Sequence, residues 1–246
     1  MIFYESQYYG ISDLGSPYLM HYGVKGMKHG VRRWQYSDGS LTPDGYIHYG
    51  YGKGRKKSKS NEQKVAIKSL SHELDNDWIY GVIHNGKRIN TEQEDFDWNN
   101  YRTIPVKTLE KEKIGTCWDF VNYQHKKLDE LGVKNDSYLL MMDLRTKDDP
   151  DRIVTHTFTT FEPGGKNYWL ESACYPKRGI HEIKDFTDAA ESVASVYAKE
   201  KPVNYSMFKY NPDGMDKGLT GDQFIEKATD NNWLNDYTFN PVKTKS

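Results

Sequence analysis

The sequence predicts an α+β fold, and three observations carry that reading. Residues 116–131 repeat at helical steps: Cys117, Val121, Gln124, Leu128 and Leu131 are spaced four, three, four and three apart. "SYLLMMDL" (137–144) is a continuous apolar run, the mark of a strand covered on both faces. "VTHTFTTF" (154–161) and "NYWLESA" (167–173) alternate, and "EPGGK" between them reads as a turn. A helix followed by antiparallel strands is the ordering of α+β domains.

The remaining elements follow in chain order. Residues 1–60 hold no sustained helical or strand period and form a basic, Gly- and Tyr-rich leader that ends in the solvated run "GKGRKKSKS" (52–60). Residues 61–74 predict a helix with Val65, Leu70 and Leu74 near one face. "DWIYGVIHNGKRI" (77–89) predicts a hairpin turning at Asn85–Gly86. Residues 91–113 are polar and read as loop with a short helix. "GIHEI" (179–183) is a further strand, and 185–200 a second long helix. The tail from 202 is Asn-, Asp- and Pro-rich, with one short helix at "GDQFIEKA". The expected division is a leader (1–60), a main domain (61–205) and a C-terminal extension (206–246) packed on the domain or trailing from it.

Composition excludes several classes of function. The chain of 246 residues has a net charge of −1, but residues 1–60 hold nine Lys and Arg against four Asp and Glu, leaving about −6 on the rest. The main body therefore lacks the basic surface that nucleic acid requires. No run approaches the ~18 apolar residues of a membrane span. The first residues lack the pattern of a signal peptide, so a reducing, intracellular setting is expected. Two cysteines 57 positions apart make neither a disulfide framework nor a zinc site. No metal and no cofactor is expected.

Cys117 is the residue that invites chemistry. Thr116-Cys117-Trp118-Asp119 fits a capping box, with Thr116 as N-cap and Asp119 reaching back to it. Cys117 then occupies the first helical position, where the helix dipole favours a thiolate. The plain alternative is a small packed side chain, because free cysteines are commonly buried and inert. A thiol nucleophile also needs a base and a group to orient it. His156 shares its strand face with Val154, Phe158 and Thr160, and Glu171 shares its face with Trp169 and Ala173. A turn centred on Pro163–Gly164 makes His156 and Glu171 direct cross-strand partners. A turn centred on Gly164–Gly165 makes them diagonal neighbours on the same face. The alternatives are an ordinary sheet histidine and a solvent-facing glutamate, though the latter would expose Trp169 as well. Cys174 has the opposite parity to Glu171 and is read as packing. His125 lies off the face of Cys117, and His181 is placed at the edge of the site.

The order cysteine at a helix start, histidine on the next long strand and acid on the strand after it resembles the transglutaminase-like branch of the papain-like cysteine enzymes. "IGTCWDF", "THTFTTF", "YWLESA" and "RGIHEI" carry the resemblance, closest to a bacterial and phage subgroup, over roughly residues 75–200. It implies a papain-like core in which the cysteine helix packs on an antiparallel sheet. It implies Cys117 as nucleophile, His156 as general base and acid, and Glu171 as orienter, where many relatives have aspartate. The oxyanion hole would include the Cys117 backbone N–H, with a second donor upstream that the sequence does not place. The expected function is a cysteine peptidase, amidase or acyltransferase working on a protein or peptide through a thioester. The alternative is a catalytically silent virion or assembly protein on the same fold.

A second resemblance lies in the leader. "HYGVKGMKHGVRRWQYSDGSLTPDGYIHYG" (21–50) resembles the "GVKGMKWGVRR…DGSLT…RYG" segment at the ends of many tailed-phage and prophage structural proteins, with His29 where tryptophan is usual. His21, Gly23, Lys25, Gly26, Met27, Lys28, Gly30, Arg32 and Arg33 are its characteristic positions here. Three glycines and four basic side chains within 21–33 suit a peptide that orders on binding. The resemblance implies docking to a phage structural protein, in the cytoplasm of a bacterial host or on the virion.

Overall fold

The computed structural model describes residues 59–94, 96–149, 152–198 and 204–230, together with the backbone of 240–241. The leader segment 21–33 lies outside these residues. Five helices occur among the described residues: α1 (Lys59–Asn76), α2 (Val106–Glu112), α3 (Cys117–Glu130), α4 (Phe186–Ala198) and α5 (Gly221–Ala228). The strands are β1 (Ile79–His84), β2 (Lys87–Asn90), β3 (Ile114–Gly115), β4 (Lys134–Asp143), β5 (Ile153–Glu162), β6 (Tyr168–Glu171), β7 (Gly179–Glu182), β8 (Asn204–Tyr210) and β9 (Asn240–Pro241). The fold is α+β, with a six-stranded antiparallel sheet ordered β7-β6-β5-β4-β8-β9. A smaller sheet is ordered β2-β1-β3, with β1 antiparallel to β2 and parallel to β3. No helix among the described residues is long and apolar enough to cross a membrane.

The large sheet is covered on both faces, which is why β4 reads as an unbroken apolar run. Leu139 and Met141 join Phe161 and Leu170 in a core with α1, α3, α5 and the small sheet. Tyr138, Leu140 and Met142 turn the other way, with Val154, Phe158 and Trp169, to meet Ala189, Ala190, Val193 and Ala194 of α4. Leu139, Leu140, Met141 and Met142 are fully buried. Each contributes roughly 1.5–3 kcal/mol relative to an exposed side chain.

The local signals account for most boundaries. In the first hairpin His84 pairs with Lys87, and Asn85 and Gly86 both take positive φ, 50° and 73°, as a two-residue turn between twisted strands requires. In the second, Thr160 pairs with Trp169, so the turn is centred on Gly164–Gly165, with φ of 70° and 80°. The register with Pro163–Gly164 at its centre is therefore set aside, and His156 and Glu171 are diagonal neighbours. In α1 the buried line is Ile67, Leu70 and Leu74, while Val65 is only half-buried.

The tail departs from expectation. Residues 204–210 form β8, which pairs with β4 along Ser137–Asp143. The boundary expected at 205–206 falls inside this strand. Its irregular pattern hid it: "NYSMFKY" does not alternate, and only Tyr205, Ser206 and Tyr210 are buried. Phe224 of α5 stacks on Trp118 at 4.5 Å and meets Tyr210 edge-on at 5.6 Å. The C-terminal residues thus complete the core of the main domain.

Candidate functional site

The start of α3 is fixed from both sides. Thr116 and Asp119 form a capping box, in which the Thr116 N–H donates to Asp119 Oδ2 at 2.9 Å. The same carboxylate accepts from the Ile104 N–H at 2.8 Å and from the Tyr101 hydroxyl at 3.1 Å, tying the preceding loop to the helix. Burial pushes the Asp119 carboxyl up to about 6, against the pull of these hydrogen bonds. Gly115 allows the close approach: a Cβ there would stand 2.7 Å from Asp119 Cβ. Cys117 follows as the first helical residue.

Glu171 ends β6 and is held by its own chain. Its Oε1 accepts the backbone N–H groups of Ser172, Ala173 and Cys174 at 3.0, 2.8 and 2.7 Å. Its Oε2 lies 2.9 Å from His156 Nε2. Cys117, His156 and Glu171 are 5%, 3% and 1% exposed. Trp169 is buried at 1%, so the solvent-facing alternative for this strand face does not hold.

Burial alone would push the His156 imidazole down. The Glu171 charge, with hydrogen bonding to Cys117 and Glu171, outweighs it and lifts the ring to about 10. Glu171 is raised by burial in turn, but His156 and the backbone N–H groups bring it below its ordinary value. The pair therefore persists as imidazolium and carboxylate at neutral pH. With Nε2 turned to Glu171, Nδ1 is the ring nitrogen left for the thiol.

The sequence reading requires the base to project from the side of the sheet on which Cys117 lies, and the structure corrects this. His156 projects with Val154 and Phe158 toward the α4 side, whereas α3 packs on the opposite face with Leu139 and Met141. The two meet at an edge. β6 pairs with β5 only from Thr159 to Phe161, which leaves the first half of β5 uncovered. The N-terminal end of α3 and residues 172–173 border that gap, with Gln124 Nε2 donating to Ser172 Oγ at 2.9 Å. The resulting pocket is lined by Cys117, Thr116, Trp118, Val154, Thr155, His156 and Ala173, with Tyr80, Trp98 and Tyr197 as walls that the sequence reading missed. It holds about 30 Å³ of free space, room for about one water. Tyr80 and Trp98 come from segments far from the cysteine motif, and no periodicity marks them as neighbours of Cys117.

Other candidates lie apart. Cys174 is buried and free, and burial followed by the Glu171 charge raises its thiol pKa. His181 Nε2 contacts the Lys177 carbonyl at 2.7 Å and its ring packs on Trp169 at 4.7 Å, outside the pocket. His125 contacts Asn135 Oδ1 at 2.7 Å on the far part of α3. Among the described residues, no group of three or more His, Cys, Asp and Glu side chains is arranged to hold a metal ion.

A protein-family model described as a family of unknown function, DUF7211, matches residues 16–36. No curated protein and no solved structure gives a significant match to the chain.

Proposed function

We propose that this protein is a cysteine acyl-transfer enzyme, a peptidase or amidase in its simplest form, of the transglutaminase-like, papain-like type. The observation that carries the reading is that Cys117 and His156 line one pocket, with Glu171 2.9 Å from the His156 ring and its carboxylate held by three backbone N–H groups. An orienter fixed by its own backbone holds the imidazole without depending on a mobile side chain.

The groups define a sequence of steps. The Cys117 thiolate adds to the substrate carbonyl carbon and the carbonyl electron pair moves to oxygen. The imidazolium of His156 gives its proton to the leaving amine as the C–N bond breaks. A thioester remains on Cys117; His156 takes a proton from the water or amine that adds to its carbonyl carbon, and the C–S bond then breaks with its electron pair returning to sulfur, which restores the thiolate and the imidazolium. Glu171 stays ionised throughout and supports the imidazolium. The first-turn N–H of Cys117 is one donor to the oxyanion. The phage or prophage setting belongs to the same proposal and rests on the resemblance of residues 21–50 to the docking segment of tailed-phage structural proteins.

One observation favours a second reading, a catalytically silent virion or assembly protein. The pocket has room for about one water, and Cys117 is only 5% exposed. Iodoacetamide labelling near neutral pH, read by peptide mass spectrometry, separates the two. The enzyme reading expects Cys117 to label well ahead of Cys174. It also expects cleaved or amine-ligated products from a peptide library with added primary amine, all lost in Cys117→Ala. Labelling of Cys117 no faster than Cys174, with no product formed, would leave the silent reading.

A further inference from the structure

An oxyanion on a tetrahedral intermediate is held best by two donors aimed at one point. The backbone N–H of Cys117 supplies one. We propose that Tyr80 supplies the second, donating its phenol O–H to the oxyanion formed when Cys117 attacks a carbonyl. This assignment rests on the acyl-transfer reading above.

The placement of Tyr80 follows from the small sheet. β1 runs parallel to β3, and Tyr80 sits opposite Gly115, two residues before the nucleophile. The side chain is buried and its ring meets Phe120 of α3 edge-on, with centroids 6.0 Å apart and planes at 87°. It lines the same pocket as Cys117 and His156, close enough for its phenol to interact with the Cys117 thiol and backbone N–H. β1 and β2 approach closely beside it: a Cβ on Gly81 would stand 2.3 Å from the Ile89 carbonyl oxygen. Burial, then the neighbouring Cys117 and Tyr197, raise the phenol pKa well above its ordinary value, so the group keeps its proton and remains a donor. When the carbonyl oxygen enters, the hydroxyl turns its O–H toward the developing charge. No proton leaves Tyr80; the hydrogen bond strengthens as the C=O electron pair moves to oxygen and relaxes when the C–N bond breaks.

Two probes of the same thiol test this. p-Nitrophenyl acetate acylates Cys117 through a tetrahedral oxyanion, whereas iodoacetamide alkylates it by displacement with no carbonyl oxyanion. In Tyr80→Phe the acylation rate should fall on the order of 100-fold, while alkylation stays near the wild-type rate. Labelling of the buried Cys174 is read in parallel as the measure of unfolding, so that thiol exposed by partial unfolding of the variant is recognised and subtracted. Parallel loss with both probes would mean that Tyr80 only poses the thiol, and would overturn the assignment. Unchanged or faster acylation would mean that the hydroxyl plugs the hole, and would overturn it too. If wild-type Cys117 reacts with neither probe, the acyl-transfer reading itself fails and the assignment falls with it.

Discussion

Oε1 of Glu171 takes three backbone N–H groups and Oε2 faces His156, so this carboxylate is both anchored and charged where the imidazole needs it. Glu171→Gln keeps the shape and removes the charge. His156 should then fall from about 10 toward or below its ordinary 6.5, because burial is left without its main opponent. Turnover should drop roughly 100-fold, and the pH–rate profile of iodoacetamide labelling at Cys117 should show the change. The same pair shapes stability. A raised histidine stabilises the fold fully below its unfolded value of 6.5, and that contribution is lost as pH rises through about 10. The lowered glutamate contributes above its ordinary 4.5, and its share is lost as pH falls through its folded value. The two share one interaction, so they are counted once. Urea midpoints across this range should drop at the alkaline end in the wild type, and that drop should be smaller in Glu171→Gln.

At the scale of the element, α3 is only as well aimed as its first turn. Asp119 accepts from Thr116 N–H, Ile104 N–H and the Tyr101 hydroxyl. Asp119→Ala would leave these buried donors without that acceptor, at ~1–3 kcal/mol for each that finds no other. Part of this is offset, because the buried carboxyl itself resists ionisation. A net loss of about 2–4 kcal/mol is expected, measured by urea unfolding. Labelling of Cys117 should slow in the folded fraction, since the helix start is no longer pinned to the 101–104 loop. The same spacing that made 116–119 legible as a cap makes this prediction from sequence; the loop it anchors became visible only in the folded chain.

For the whole molecule, the tail is the critical part. A chain ending at Val203 would lose β8 and α5, and with them the pairing along β4, Tyr210 and the Phe224 stack on Trp118. It should fail to give a cooperative melt. Removing residues 1–58 is the contrasting case, because α1 begins at Lys59 and the described core begins with it. That shortened protein should keep its melting temperature and the labelling of Cys117, while losing co-purification with phage particles. Retained co-purification would place the docking role outside the leader; an early melt would show that the leader belongs to the core.

Local physics was enough for α3, the two hairpin turns and the buried run of β4, because caps, Gly-containing turns and apolar periods act over a few residues. The sequence also brought His156 and Glu171 together, since both strand parity and a short turn constrain them. It left open which of two registers holds, and the folded chain places the turn on Gly164–Gly165. Three things were decided by tertiary structure alone. β8 is a strand because β4 offers it an edge, although only Tyr205, Ser206 and Tyr210 of it are buried. Tyr80 reaches Cys117 because a two-residue strand, Ile114–Gly115, pairs parallel to β1. Cys117 reaches His156 around an edge of β5 that β6 leaves uncovered, not across a common face. Each depends on contacts between segments far apart in the chain, whose geometry no local pattern carries.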